Sequence, residues 1–221
     1  MRRSEEIDLR DGLVYDPAVK GYDSNFWKGD TANLTVDTVK NTIRIGDTGL
    51  VGSASSYSQY LYGDFEFAMM IDSDSPDSND SEKYFGLRNL GDSLNRGAAY
   101  FDLSYDTTVG DSSPNARSFS AVIYDEAGNR QRKFIDWDTT WGGGGKTTRF
   151  RISWEADGYT FLVNDTVVAT MGDKPSGQTA VNQINTTIPQ ALRMSNRSLD
   201  TADSSPTALK LLTIRHARKV I

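Results

Sequence analysis

The sequence predicts an all-β protein, with two antiparallel sheets stacked as a sandwich of the jelly-roll kind. Three observations predict it. Apolar residues recur at period two in one segment after another, the repeat of a strand with one buried face. No long segment carries an apolar stripe at helical spacing. Turn signals punctuate the periodic runs, among them "EADGY" (155–159), "VNDTV" (163–167), "GDSLNRG" and "GDKPSG". Roughly a dozen strands follow from this pattern, enough to require two packed sheets.

The elements can be justified in chain order. Residues 1–30 are poorly periodic and are expected to form an N-terminal arm laid across the body. Residues 31–221 read as one sandwich domain, because no linker or repeat divides them. "DFEFAMMI" (64–71) sets Phe65, Phe67, Met69 and Ile71 on one face. "KYFGLRN" (83–89) and "AAYFDLSYD" (98–106) are successive strands. "SFSAVIY" (118–124) sets Phe119, Ala121 and Ile123 against Ser118, Ser120 and Tyr124. "RFRISW" (149–154) turns Phe150, Ile152 and Trp154 inward, and "YTFLVN" (159–164) does the same with Tyr159, Phe161 and Val163. Asp-Gly in one turn and Asn-Asp in the next join these runs into a three-strand meander from about Thr147 to Met171. "LKLLTI" (209–214) supplies a closing strand.

Composition removes several function classes. The 221 residues contain no cysteine, which excludes thiolate metal sites, thiol catalysis and disulfides. The single histidine, His216, excludes a multi-histidine metal centre and is assigned no catalytic role. A net charge of −6 argues against nucleic acid and anionic membranes as partners. No window approaches a membrane span. "MRRSEEIDLRDG" has no apolar stretch, so no export signal is expected, and the reading is a virion or cytoplasmic location.

The stretch "DWDTTWGGGGKTT" (136–148) raises the question of a phosphate loop. Gly145-Lys146-Thr147 is present, but the residue five before Gly145 is Thr140, and the following "TTRFRISW" reads as a strand. A phosphate cradle needs a helix N-terminus behind it. The stretch therefore reads as a loop between strands. Trp137 and Trp141 flank it, either as capping residues at the end of the core or as stacking surfaces for a sugar.

"YLYGDFEFAMMI" (60–71) resembles a strand of laminarinase-type family 16 glycoside hydrolases and of the wider concanavalin A-like lectin/glucanase superfamily. "TTRFRISWEADGYTFLVNDTVVATM" (147–171) and "ALKLLTIRHARKV" (208–220) are similar to that superfamily's late meander and closing strand. The resemblance implies a concanavalin A-like jelly roll over residues 30–220. The superfamily's hydrolases carry E-I-D-x-x-E, and retaining hydrolysis needs two carboxyl groups about 5–5.5 Å apart. In "AAYFDLSYD" the matching positions hold Tyr100, Asp102 and Tyr105, so only the central carboxylate is kept and no catalytic residue is expected. "SEEIDLRD" (4–11) imitates the motif ahead of any core strand.

Two further clusters stand out. "DSDSPDSNDSE" (72–82) offers Asp72, Asp74 and Asp77 as calcium ligands, without the EF-hand glycine and glutamate spacing, and reads as a solvated acidic loop. Tyr84, Arg88, Tyr100 and Asp102 fall at even positions of two successive strands and so share one face. If that face is the concave one, they and the two tryptophans form a glycan platform. The function expected is a non-catalytic, lectin-like interaction module. It would decorate or cement a virion or similar assembly, with residues 1–30 as the contact to other subunits. Carbohydrate binding by a lectin domain is the alternative, and a glycoside hydrolase with an unrecognised site is the second.

Overall fold

The computed structural model describes residues 13–20, 22–29, 31–39, 41–45, 49–56, 63–71, 81–89, 98–103, 119–124, 128–142, 146–155, 158–172, 190–198 and 209–218. It is a β-sandwich of fifteen described strands. They are β1 (Leu13–Tyr15), β2 (Trp27–Gly29), β3 (Leu34–Asp37), β4 (Thr42–Ile45), β5 (Gly49–Ser56), β6 (Gly63–Ile71), β7 (Ser81–Asn89) and β8 (Ala99–Asp102). The remainder are β9 (Ser120–Tyr124), β10 (Arg130–Phe134), β11 (Thr148–Glu155), β12 (Gly158–Val163), β13 (Thr166–Met171), β14 (Gln190–Ser198) and β15 (Leu209–Arg218). The described helical structure is one short helix, α1 (Pro17–Lys20), and two 3-10 turns.

An eight-stranded sheet runs β13-β12-β11-β6-β15-β4-β3, and β1 adds to β15 beyond β4. A seven-stranded sheet runs β10-β9-β8-β7-β14-β5-β2. All described pairings are antiparallel, and late strands insert between early ones: β15 beside β6, and β14 between β5 and β7. That interleaving is the jelly-roll arrangement read from the sequence.

The core is set by the period-two residues. Phe65, Phe67 and Met69 from the eight-stranded sheet are fully buried, as are Phe85, Phe101 and Ala121 from the seven-stranded sheet. Rings meet between the layers: Phe85 and Phe150 lie 5.0 Å apart, Phe101 and Phe161 5.1 Å, Phe67 and Phe85 5.6 Å. Each such side chain, removed from water, contributes about 1.5–3 kcal/mol. Strand parity also carries Lys83 inward beside Phe85 and Leu87, where it is buried.

The three-strand meander falls at β11–β13, as the two turns predict. Asn164 and Asp165 take φ of 47° and 65°, the left-handed pair that a two-residue hairpin requires. Asn164 also fixes the turn to the neighbouring strand, its side-chain oxygen accepting from Arg149 N–H at 3.0 Å.

The lead-in differs from expectation. Residues 1–12 lie outside the described residues, but much of 13–29 belongs to the sandwich rather than to an arm. β1 pairs with β15, β2 pairs with β5, and Tyr15 and Trp27 are core residues at 0% and 1% exposure. The reason is packing: Tyr15, Phe26 and Trp27 make a triad with centroids 4.8–5.2 Å apart. Poor periodicity concealed these anchors, because each strand is only three residues long.

Candidate functional site

Alternation decides which side chains the seven-stranded sheet turns away from the core. With Phe85, Leu87, Phe101, Ala121, Ile123, Leu192 and Met194 inside, their neighbours Tyr84, Arg88, Tyr100, Asp102, Ser120, Val122, Tyr124 and Arg193 lie on the outer face. Register aligns them across the strands. One row reads Ser120, Asp102, Tyr84, Ser195. The next reads Arg132, Val122, Tyr100, Gly86, Arg193, Gly52, Lys28. The four residues grouped from the sequence, Tyr84, Arg88, Tyr100 and Asp102, are thus brought together.

Their contacts define a floor and a rim. Tyr84 and Tyr100 lie with centroids 5.3 Å apart, and Tyr100 stacks on Tyr124 at 6.4 Å. With Ala98 and Val122 they form a second apolar cluster, separate from the core. Arg88 sits over both rings, its guanidinium carbon 4.4 Å from the Tyr84 centroid and 5.5 Å from that of Tyr100. Cation–π contact with the two rings favours the guanidinium at this position. Tyr84 and Tyr100 are only 5% and 7% exposed. They support Arg88 more than they offer open stacking surfaces.

Gly86 makes the floor possible. It sits in the middle of a strand at φ +154°, and a Cβ there would stand 2.5 Å from Tyr100 Cα. Any side chain at 86 would push the Tyr100 strand away.

Electrostatics of the floor follow from burial. Desolvation raises the Tyr100 hydroxyl well above the ordinary phenol value, the Asp102 charge adds to this, and so does a hydrogen bond with Tyr124. The hydroxyl stays protonated and keeps its donor at neutral pH. Asp102 is 3.6 Å from an Arg132 Nη, and Arg132 Nε donates to Ser120 Oγ at 2.8 Å. Arg132 also lies over the Phe134 ring at 4.7 Å.

Trp137 and Trp141 are not on this face. Both pack on Phe119, which points inward, at 5.3 and 5.7 Å, and on each other at 5.7 Å. Half-buried, they close one end of the core. Asp138 caps the turn that carries Trp141, accepting from Thr140 N–H at 2.8 Å, and this bond lowers the Asp138 pKa. The chain then enters strand β11 at Thr148, with no helix behind the glycines. Gly143–Gly145 lie outside the described residues, as do Tyr105, the "SEEIDLRD" string, and Asp72, Asp74 and Asp77 of the calcium loop. Among the described residues no group of three or more acidic or histidine side chains is placed to hold a metal. His216 pairs through its backbone with Phe65 in the eight-stranded sheet.

Sequence reasoning missed Ser120, Tyr124, Arg132 and Arg193 as members of the site. The signal was available for two of them, because the alternation in "SFSAVIY" already set Ser120 and Tyr124 opposite Phe119. Arg132 and Arg193 needed the strand order, which places β10 and β14 on the flanks of β7–β9.

Comparison with solved structures assigns the fold. A carbohydrate recognition domain of Emp46p superposes with a TM-score of 0.61 at 14% identity, covering 98% of this chain and 100% of that one. The laminarinase catalytic domain of Thermotoga maritima gives 0.59 at 11% identity, covering 95% and 98%. A putative β-glucanase of Mycobacterium abscessus gives 0.57 at 13%, covering 93% and 100%. No family model and no curated protein matches the sequence. The chain therefore has the concanavalin A-like lectin/glucanase jelly-roll fold, a scaffold shared by lectins and glycoside hydrolases. No helix among the described residues is long and apolar enough to cross a membrane.

Proposed function

We propose that this protein is a lectin-like module that binds carbohydrate on the outer face of its seven-stranded sheet without hydrolysing it. The observation that carries this reading is the single register-aligned cluster of Tyr84, Arg88, Tyr100, Asp102, Ser120, Tyr124 and Arg132. Hydroxyl, guanidinium and carboxylate groups fixed by a buried tyrosine floor, beside the half-buried Tyr124 ring, suit a polyhydroxylated ring, which needs fixed hydrogen-bonding partners next to some apolar surface.

The same register argues against hydrolysis. Asp102 has Tyr84 and Ser120 as cross-strand partners, Tyr100 two residues earlier on its own face, and Arg132 beside it. None of these is the second carboxyl group that glycoside hydrolysis uses. The test is to incubate the purified chain with oligosaccharides and measure both binding and reducing-sugar release. Saturable binding without product, lost in Arg88→Ala, is expected. Turnover that disappears in Asp102→Asn would establish a hydrolase instead.

Service in a virion or other assembly is compatible with a glycan-binding surface, and the acidic body favours solubility in such a role. Attachment through the first thirty residues is best tested by deleting residues 1–12 alone. A deletion of 1–30 would also remove the core residues Tyr15 and Trp27.

A further inference from the structure

We infer that the glycan taken by this face is anionic, bearing carboxylate or sulfate groups. This rests on the carbohydrate-binding reading above. The described side chains on the outer face of the seven-stranded sheet include Arg88, Arg130, Arg132, Arg193 and Lys28, against the single carboxylate of Asp102. The chain as a whole carries −6, so the positive charge is a local departure from an acidic body.

Position reinforces the count. Arg132, Arg193 and Lys28 stand in one cross-strand row, with Tyr100 and Gly86 between the first two. Arg132 and Arg193 are four strand steps apart, ~19 Å at the usual inter-strand spacing. That is the length of a short oligosaccharide, not of one sugar. The centre of the row is uncharged, and Arg88 lies on the tyrosine floor beside it. A chain whose rings cross the floor would set its acidic substituents against the flanking guanidinium groups. Arginine forms planar, paired hydrogen bonds with carboxylate and sulfate oxygens. A neutral glucan has no group for which this surplus is needed, and the desolvated guanidinium groups would weaken its binding.

The test is affinity electrophoresis of the full chain through native gels containing polygalacturonate, a sulfated galactan or a neutral β-glucan. Retardation by at least one acidic polymer, and little by the neutral one, is expected. Comparison of the two acidic gels tells carboxylate from sulfate. Added salt should relieve the retardation. Arg130→Gln with Arg193→Gln should weaken affinity about tenfold or more, from the loss of charge-assisted bonds. Arg44→Gln, on the outer face of the other sheet, should leave it unchanged. Equal or stronger retardation by the neutral glucan would overturn the inference while leaving carbohydrate binding intact. Equal weakening by Arg44→Gln would also overturn it, since the charge would then be acting without regard to the face. Absence of retardation in all three gels would overturn both the inference and the reading beneath it.

Discussion

On the outer face of the eight-stranded sheet, Thr170, Thr160, Ser153 and Asp64 stand in one row across β13, β12, β11 and β6. On the outer face of the seven-stranded sheet, the comparable rows hold Tyr84, Tyr100 and Asp102. The charges are arranged differently as well. In the first sheet Arg149 and Arg151 both donate to Asp165 at the β12–β13 turn, and the described outward side chains there also include Asp37, Asp64 and Glu66 with Arg44. In the second, the described outward side chains include four arginines and a lysine, with one carboxylate and an aromatic floor. Both faces satisfy the same period-two rule and cover the same core. The contrast separates what the fold demands, which is only an outward polar side chain, from what a ligand would demand.

Substitutions can break or sharpen this contrast. The largest effect is expected from Gly86→Ala, whose new Cβ would meet Tyr100 backbone at 2.5 Å. It should cost about 3 kcal/mol in urea unfolding, whereas Ser153→Ala on the other face should stay within about 0.5 kcal/mol. Trp141→Ala comes next, at about 2 kcal/mol, because a half-buried ring leaves Phe119 and Trp137. Its glycan affinity should be unchanged, whereas a large loss of binding would return the tryptophans to the site.

Tyr100→Phe should cost less than about 1.5 kcal/mol at neutral pH but alter the alkaline limb. The folded protein holds this phenol protonated above its ordinary range. The associated stability is therefore complete below about pH 10, the unfolded value, and is lost as pH rises beyond it. Denaturation midpoints should fall more steeply above pH 10 in the parent than in Tyr100→Phe. Asp165→Asn should have the smallest effect, below about 1 kcal/mol, because Asn keeps the tolerance of positive φ that the turn needs and the lost ion pairs with Arg149 and Arg151 are solvent-screened at about half exposure of the carboxylate.

Much of this was legible in the sequence. The inward sets Phe65–Phe67–Met69–Ile71 and Phe150–Ile152–Trp154 are core as read, because period two is imposed by the backbone itself. The turn at Asn164-Asp165 was legible because few residues tolerate positive φ. Tyr84, Arg88, Tyr100 and Asp102 share a face for the same reason of parity. Parity does not reveal which strands are neighbours, and this is why Arg193 on β14 and Arg132 on β10 were not joined to the cluster. Nor does it reveal how far a ring is covered: Tyr100 was expected as an open platform and lies almost wholly buried beneath its neighbours. The tryptophans flanking the glycines were ambiguous because loop residues have no period, and only their packing on Phe119 places them at the core.

The most direct test of the central claim is hydrogen–deuterium exchange of the full chain with and without a bound acidic oligosaccharide. Slowed exchange confined to β7, β8, β9, β10 and β14 is the predicted result. Protection concentrated in β3, β4, β6 and β11–β13 would place the ligand on the opposite sheet and contradict it.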